Sequence, residues 1–314
     1  MKPTESQPVY LRTRDSGVFP EKITASFRIL EDCTLCPRNC RVNRLLGARG
    51  TCEGGYLPAV ASHAPHFGEE QPLVGRSGSG TIFLAHCNLL CCFCQNYSIS
   101  HLGEGREVSF EGLTRMMIGL QNLGCHNINF VTPTHYAAQI LEAVSRAAGM
   151  GLRIPLVYNS SGYDAVTTLK LLDGVFDIYM PDFKFGEPGP AAEYCGAADY
   201  PEMAKLAIKE MHRQVGDLVL DKGGLAVRGL LLRHLVLPDG LAATREVLHF
   251  IATEISRNTY VNLMDQYYPC AKVPPQSRLA RRVTREEYAA ALEIAREEGL
   301  TRLDKRDSRR PLRF

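Results

Sequence analysis

Residues 81–96, TIFLAHCNLLCCFCQN, place a short apolar run directly before a cluster of four cysteines. The run TIFLAH (81–86) has the continuous apolar character of a strand that is buried on both faces of a parallel sheet. Cys87, Cys91 and Cys94 follow it with the spacing C-x3-C-x2-C. Because parallel sheets bind their ligands at the carboxyl ends of the strands, this stretch predicts both an α/β fold and the edge that carries its site.

Similar runs recur along the chain and alternate with segments of helical periodicity. Strand–helix repetition favours right-handed crossovers and a parallel sheet. We therefore predict an α/β fold, a partial (β/α)6 TIM-like barrel, with an open doubly wound sheet as the alternative. No G-x-G-x-x-G motif follows the first run, which argues against a dinucleotide-binding fold. Further strands are predicted at 128–133, 154–160, 177–183, 230–238 and 260–269, and helices at 107–124, 135–149, 164–173, 201–215, 243–256 and from Thr284, whose spacing to Glu287 fits a capping box.

Composition and terminal segments predict a globular protein with a small N-terminal lobe. The 314-residue chain is 45% hydrophobic and 22% charged, with a formal net charge of +2, and this balance predicts neither a nucleic-acid nor a membrane partner. It has no apolar run of about 18 residues and begins without the apolar core of a signal peptide, so we expect a cytoplasmic location. The predicted organisation is a polar tail (1–20), a cysteine-rich metal-binding lobe (21–76), the barrel (77–304) and a basic C-terminal tail (305–314).

The cysteines behind the first strand have the ligand spacing of an iron–sulfur site. The chain has eleven cysteines, and clustered cysteines in a reducing compartment bind metal or carry out chemistry more often than they form disulfides. Three thiolates on one loop can hold three corners of an iron–sulfur cube, which leaves the fourth iron open for a substrate or cofactor. A zinc site or a set of buried thiols is the alternative interpretation. The adjacent Cys92 is expected to be a packed thiol.

A second set of cysteines lies in EDCTLCPRNCRVNRLLGARGTCEGG (31–55). Cys33, Cys36, Cys40 and Cys52 have the spacing C-x2-C-x3-C-x11-C. Four thiolates complete a closed tetrahedral shell, so the set predicts a structural metal site. Zinc and an auxiliary 4Fe–4S cluster both fit the spacing, with a slight preference for zinc, and free structural thiols are the alternative.

Over about residues 30–310 the chain resembles the radical S-adenosylmethionine (radical SAM) superfamily. Within it, the chain is similar to homologues of pyruvate formate-lyase activating enzyme. The resemblance implies a 4Fe–4S cluster on Cys87, Cys91 and Cys94 whose open iron binds S-adenosylmethionine. The segments that carry it are GSGTIFLAHCNLLCCFCQNYSIS (78–100), VTPTHY (131–136), YNSSGY (158–163), PDFKF (181–185) and MHRQVGDLV (211–219).

The resemblance also implies an activity. Reductive cleavage of S-adenosylmethionine would form a 5′-deoxyadenosyl radical that abstracts a hydrogen atom, with an electron donor such as flavodoxin or ferredoxin and a glycyl-radical enzyme as the protein substrate. One alternative is a radical SAM enzyme that acts directly on a small molecule, a peptide or a nucleic acid. The non-enzymatic alternative is an iron–sulfur electron carrier or interaction module.

The resemblance assigns cofactor contacts to residues at the ends of the first four strands. Phe93 would lie along the adenine. Thr132 and Thr134 stand where relatives have Gly-Gly-Glu and could accept from the methionyl amino group, although Thr134 also fits a helix N-cap. Asn159 and Ser160 would face the cofactor from the third strand.

Further predicted contacts follow the later strands. Asp182 and Lys184 match the Asp-x-Lys of glycyl-radical activating enzymes, which contacts the ribose and carboxylate of the cofactor; a surface ion pair is the alternative. His234 would face adenine or be a satisfied core histidine. Gln266 would contact the substrate or adenine, or hydrogen-bond to loops of the barrel.

Overall fold

The computed structural model describes residues 7–304 and shows a mixed α/β fold with one nine-stranded sheet. The strands are β1 (Ala59–His66), β2 (Ser79–Leu84), β3 (Arg106–Glu107), β4 (Ile128–Val131), β5 (Leu156–Ser160), β6 (Ile178–Pro181), β7 (Val219–Leu220), β8 (Ala226–Leu235) and β9 (Tyr260–Met264). Strands β2, β4, β5, β6, β8 and β9 are parallel neighbours in chain order. They correspond to the six predicted runs, which are therefore confirmed as strands. Strands β1, β3 and β7 pair antiparallel with their neighbours.

Helices separate the parallel strands as predicted. The last of them begins with the expected capping box, in which the Glu287 backbone N–H donates to the Thr284 hydroxyl and the Glu287 carboxylate accepts from the Thr284 N–H. The helices are α1 (Val9–Asp15), α2 (Phe19–Ile29), α3 (Gln71–Val74), α4 (Tyr97–Ser100), α5 (Phe110–Asn122), α6 (Ala137–Gly149), α7 (Val166–Leu171), α8 (Pro188–Cys195), α9 (Tyr200–Val215), α10 (Thr244–Phe250), which continues as a π-helical turn over Ile251–Ile255, and α11 (Arg285–Glu297).

Both faces of the sheet are buried, which explains why its strands are continuous apolar runs. Alternate side chains such as Ile82, Phe130 and Leu230 belong to the large core that includes the helices. Strand side chains that point to the other face, Val157 and Ile178 among them, belong to a second apolar cluster. Polar side chains at the carboxyl ends of β5 and β8, Asn159, Ser160 and Arg233 among them, lie where the candidate site is.

The N-terminal segment differs from the prediction of a polar tail over 1–20. Residues 9–15 form α1, with Tyr10 and Leu11 buried. The Val9 N–H donates to the Asp177 carboxylate at 2.7 Å, and the Tyr10 hydroxyl donates to the Ile154 carbonyl at 3.1 Å. The predicted basic tail at 305–314 lies outside the described residues.

The cysteine-rich segment between α2 and β1 has little regular structure. Its only helical pieces are single 3-10 turns at Leu30–Asp32 and Arg44–Leu46. Cys33 exchanges backbone hydrogen bonds with Val42 and Arg41. In the described part of the chain, no helix is both long and apolar enough to cross a membrane.

Candidate functional site

The loop that carries Cys87, Cys91 and Cys94, here called the cysteine loop (85–96), leaves β2 at its carboxyl end. His86 and Leu90 have the left-handed φ angles of 71° and 58°. Such angles are unfavourable for residues with a side chain and persist only where the surroundings impose them. The loop is therefore held in a specific shape that turns its sulfurs into the protein.

Each of the three sulfurs has a hydrogen-bond donor within the chain. The Leu89 N–H lies 3.4 Å from Cys87 Sγ, the Cys195 thiol 3.3 Å from Cys91 Sγ, and the Ser100 hydroxyl 3.1 Å from Cys94 Sγ. Donors of this kind orient thiolate ligands and set the reduction potential of iron–sulfur clusters.

Burial keeps these thiols protonated in the absence of a cation. It raises the pKa of Cys87 to about 12, with a further contribution from the nearby Cys91. The contact with the Cys195 thiol, followed by burial, raises the pKa of Cys91 well above its usual value. A bound metal would deprotonate such thiols outright.

The sulfurs are close together but not gathered around one point. All eleven cysteines are free thiols, and among residues 7–304 no three His, Cys, Asp or Glu side chains are arranged to hold a metal ion as they stand. The cysteine loop thus supplies suitable donor atoms, whose side chains would have to turn toward a bound group.

A buried cluster of charges lies opposite the cysteine loop at the end of β6. Lys184 Nζ is 2.5 Å and Arg233 Nε 2.8 Å from the Asp182 carboxylate, and Asp182 is 8% exposed. The alternative interpretation of Asp182 and Lys184 as a surface ion pair is therefore wrong, because their side chains are only 11% and 16% exposed. Arg233 was not among the predicted site residues; it lies inside the apolar run 230–238.

The cluster places positive charge beside the cysteines. Burial alone would raise the pKa of Asp182, but Arg233 and Lys184 outweigh it and hold the pKa below its ordinary value. Burial alone would lower the pKa of Lys184, but Asp182 and then Cys91 raise it. The Lys184 ammonium in turn favours the thiolate form of Cys91 and Cys94.

The ends of β4 and β5 contribute polar groups in two different ways. Asn159 accepts a hydrogen bond from the Arg233 guanidinium at 2.7 Å and so joins the charge cluster. The backbone of Asn159 also accepts from the N–H of Thr132, whose φ is 61°. Thr134 and Ser160 instead donate to the buried Asp164, both at 2.7 Å.

Asp164 was not predicted, and it explains two residues that were. Its carboxylate accepts from the Thr134, Ser160 and Tyr158 hydroxyls. Burial raises the pKa of Asp164, and these hydrogen bonds oppose the rise. Thr134 is not a helix N-cap; its hydroxyl donates to Asp164, joins the ends of β4 and β5 and keeps its lone pairs as acceptors.

The three remaining predicted residues have separate surroundings. Phe93 packs edge-on against Phe185 and Tyr267, and its carbonyl accepts from the Cys270 thiol at 3.3 Å. Gln266 is half-buried beside Met264.

His234 is a core histidine rather than a cofactor contact. Its side chain is fully buried, and its two ring nitrogens pair with the Phe183 carbonyl at 2.6 Å and the Thr244 hydroxyl at 3.0 Å. Burial lowers its pKa to about 4, so the ring is neutral. Of the two predicted environments for His234, the structure has the satisfied core histidine.

The second set of cysteines, here called the N-terminal set (Cys33, Cys36, Cys40 and Cys52), lines one cavity together with Arg44 and His135. Burial raises the pKa of Cys36 to about 12. The same segment contacts the cysteine loop through Arg38, whose guanidinium donates to the carbonyls of Asn88 and Leu89 at 2.9 and 3.0 Å. The two cysteine sets are therefore neighbours in space.

The fold and the site define an α/β protein with two cysteine clusters at the carboxyl edge of its sheet. No established family model matches the chain. It is 32% identical over 286 residues to the uncharacterized protein MJ0674 of Methanocaldococcus jannaschii. The matched region covers 87% of this chain and 77% of that protein. The chain belongs to the same protein family as MJ0674.

Proposed function

We propose that this protein is a radical SAM enzyme whose sheet forms the wall of a partial (β/α)6 barrel. The barrel is supported by the unbroken succession of parallel strands in chain order and by the burial of both faces of the sheet. The observation that carries the proposal is the cysteine loop itself. Its three sulfurs each have an in-chain donor, and two of them, those of Cys91 and Cys94, lie in the field of Lys184.

In this proposal Cys87, Cys91 and Cys94 hold a 4Fe–4S cluster. The cluster and S-adenosylmethionine, when bound, supply one-electron cleavage of a sulfonium bond and the 5′-deoxyadenosyl radical that abstracts a hydrogen atom. Lys184 pairs with the cofactor carboxylate, and Asp182 holds the lysine in place between itself and Arg233. Asp182, at the centre of the charge cluster with Lys184 and Arg233, is buried, and its burial limits the access of water to the reacting groups.

The proposed target is a glycyl-radical enzyme. This part rests on the resemblance of segments such as PDFKF (181–185) to activating enzymes. The hydrogen atom would come from a glycine of the partner protein, and a flavodoxin or ferredoxin would supply the electron. Since a shared fold does not determine a substrate, the target needs its own test.

The test is anaerobic cleavage of S-adenosylmethionine. The protein is reconstituted with iron and sulfide, reduced with dithionite and assayed for 5′-deoxyadenosine. Cys91→Ala should abolish the product, because it removes a cluster ligand. Cys125→Ala is the matched control, because Cys125 is equally buried but precedes β4 at the opposite edge of the sheet.

The outcomes separate the class from the target. Loss of product in Cys91→Ala alone supports the radical SAM assignment, and equal product in both variants contradicts it. A glycyl-radical signal in electron paramagnetic resonance after addition of pyruvate formate-lyase supports the target. Formation of 5′-deoxyadenosine without that signal retains the class and refutes pyruvate formate-lyase as the target.

A further inference from the structure

The N-terminal set brings four cysteines to one cavity, where their side chains would have to turn toward a bound metal. Three of its four thiols are buried around one cavity. Burial raises the pKa of Cys36 and Cys52, and the backbone groups of Arg38 and Gly54 respectively oppose that rise. The Thr51 N–H donates to Cys40, at 3.4 Å. Such bonds stabilise thiolate, which is the form of cysteine that binds metal.

A buried cation points into the same cavity. Arg44 is 1% exposed and donates to two backbone carbonyls, those of His135 and Gly55, both at 2.7 Å. Its Nε has no hydrogen-bond partner within residues 7–304, and no carboxylate of that range pairs with it. An unpaired buried charge is strongly unfavourable, so the guanidinium requires a negative group nearby.

The geometry around Gly54 locates that negative group. A Cβ atom at this position would lie 3.0 Å from Arg44 Nη2, 3.1 Å from the His135 ring and 3.4 Å from Cys52 Sγ. Arg44, His135 and Cys52 therefore surround one point. Thiolates of the N-terminal set are the only cysteine or acidic groups among the residues lining this cavity.

His135 provides a second unpartnered polar atom. Its Nε2 donates to the Ala85 carbonyl at 2.9 Å, so the neutral ring has its lone pair on Nδ1. That Nδ1 is buried and has no partner in the described part of the chain. The Ala85 carbonyl therefore orients the ring and determines which nitrogen carries the proton.

We propose that the N-terminal set binds a thiolate-ligated metal centre and that Arg44 is its buried counter-ion. Four thiolates leave a net negative charge with either zinc or a 4Fe–4S cluster, and this charge compensates the guanidinium. The site is independent of S-adenosylmethionine and of the cysteine loop. Zinc and iron–sulfur share the thiolate chemistry, and the experiment separates them.

The first test is the metal content of proteins purified anaerobically from cells, without reconstitution. The triple variant Cys87→Ala/Cys91→Ala/Cys94→Ala retains only the N-terminal set. We expect it to keep about one zinc or about four irons per chain. The double variant Cys36→Ser/Cys52→Ser, made in the triple-variant background, should have its metal content lowered at least about tenfold, and Cys125→Ser in the same background is the matched buried-thiol control.

Either metal in the triple variant supports the proposal and identifies the centre. The proposal is overturned if the folded triple variant holds neither metal, and circular dichroism establishes that it is folded. It is equally overturned if the double variant keeps the metal. Because the triple variant lacks the cysteine loop ligands, failure of the radical SAM assignment would leave this result unaffected.

The second test isolates the charge of Arg44. Arg44→Gln should release the metal to a chelator about tenfold faster than wild type, since the thiolates lose their counter-ion. Arg44→Lys should restore most of the difference, because it keeps the charge but not the forked hydrogen bonds. Arg41→Gln, at an exposed arginine of the same segment, is the control. Release from Arg44→Lys as fast as from Arg44→Gln would refute the counter-ion role.

Discussion

At the scale of the residue, the contact between Cys195 and Cys91 bears on the proposed cluster. The two sulfurs are 3.3 Å apart, and both residues are buried. A donor to a ligand sulfur stabilises the reduced cluster, so its removal should lower the reduction potential. One hydrogen bond of about 1 kcal/mol corresponds to about 40 mV in a one-electron couple.

We expect Cys195→Ala to lower the cluster potential by about 40 mV and Cys195→Ser, which keeps a donor, to lower it less. The measurement is a redox titration followed by electron paramagnetic resonance. Cys125→Ala is the control for loss of a buried thiol. An unchanged potential in Cys195→Ala, with the cluster intact, would refute the proposed tuning.

A second residue-scale prediction concerns Asp182. Its carboxylate compensates two buried cations, Lys184 and Arg233. Asp182→Asn would leave both without their shared partner, and we expect the free energy of unfolding to fall by about 3–5 kcal/mol. Asp173→Asn should cost less than about 1 kcal/mol, because its pair with Arg213 is exposed.

Denaturant titration of the apoprotein measures both Asp182→Asn and Asp173→Asn. Equal losses of stability would show that the buried cluster is solvated more than its geometry indicates.

Residues that act through distant partners could not be predicted from the sequence. Asp182 and Lys184 were found because they stand two residues apart at the end of a predicted strand and match the Asp-x-Lys of the activating enzymes that the chain resembles. Arg233, Asp164 and Cys195 acquire their roles only when the fold brings them to partners far along the chain. A charge inside an apolar strand, as at Arg233, is a signal that could have been used, since such a residue is unfavourable unless it is paired.

At the scale of the element, α1 is anchored by a buried acid. The Asp177 carboxylate accepts from the Val9 N–H of α1 and from the Leu156 N–H of β5. Burial raises the pKa of Asp177 from 3.8 to about 7. Between these two pKa values Asp177 keeps its proton in the native state and loses it in the unfolded state. The stabilisation that comes from this proton is fully present below about pH 4 and is lost as the pH rises through 7.

We expect the free energy of unfolding to fall more steeply between pH 5 and 8 in the wild type than in Asp177→Asn, which cannot titrate. The difference should be on the order of a few kcal/mol. Asp15→Asn, at an exposed position of α1, should leave the wild-type slope unchanged. Parallel slopes for the wild type and Asp177→Asn would contradict the shift.

The elements that the sequence revealed are those with a strong apolar period. All six runs proved to be parallel strands because both faces of the sheet are buried. Helix α1 and strand β1 were not predicted. Three residues of α1 are charged, and β1 contains polar residues, a proline and exposed positions, so neither segment has the pattern of a buried element. Their positions are set by long-range contacts such as the one with Asp177.

At the scale of the whole molecule, the two cysteine sets form one connected region. The sequence separates them by more than thirty residues, and nothing in their spacing indicated contact. Arg38 joins them, because its guanidinium donates to the Asn88 and Leu89 carbonyls of the cysteine loop. The same guanidinium donates to the carbonyls of Cys195 and Gly196 at the end of α8. The N-terminal segment thereby holds the cysteine loop against the end of α8.

This connection predicts that Arg38 protects the proposed cluster without binding it. Arg38→Ala removes the hydrogen bonds that fix the Asn88 and Leu89 carbonyls, so the cysteine loop should open more often. We expect iron bound to the loop to reach a chelator several-fold faster than in Arg41→Ala, an exposed arginine of the same segment. Metal on the N-terminal set should be retained in both variants. Equal rates of iron loss would mean that the cysteine loop keeps its shape through its own backbone and the bonds to its sulfurs, and that the N-terminal segment is joined to it without supporting it.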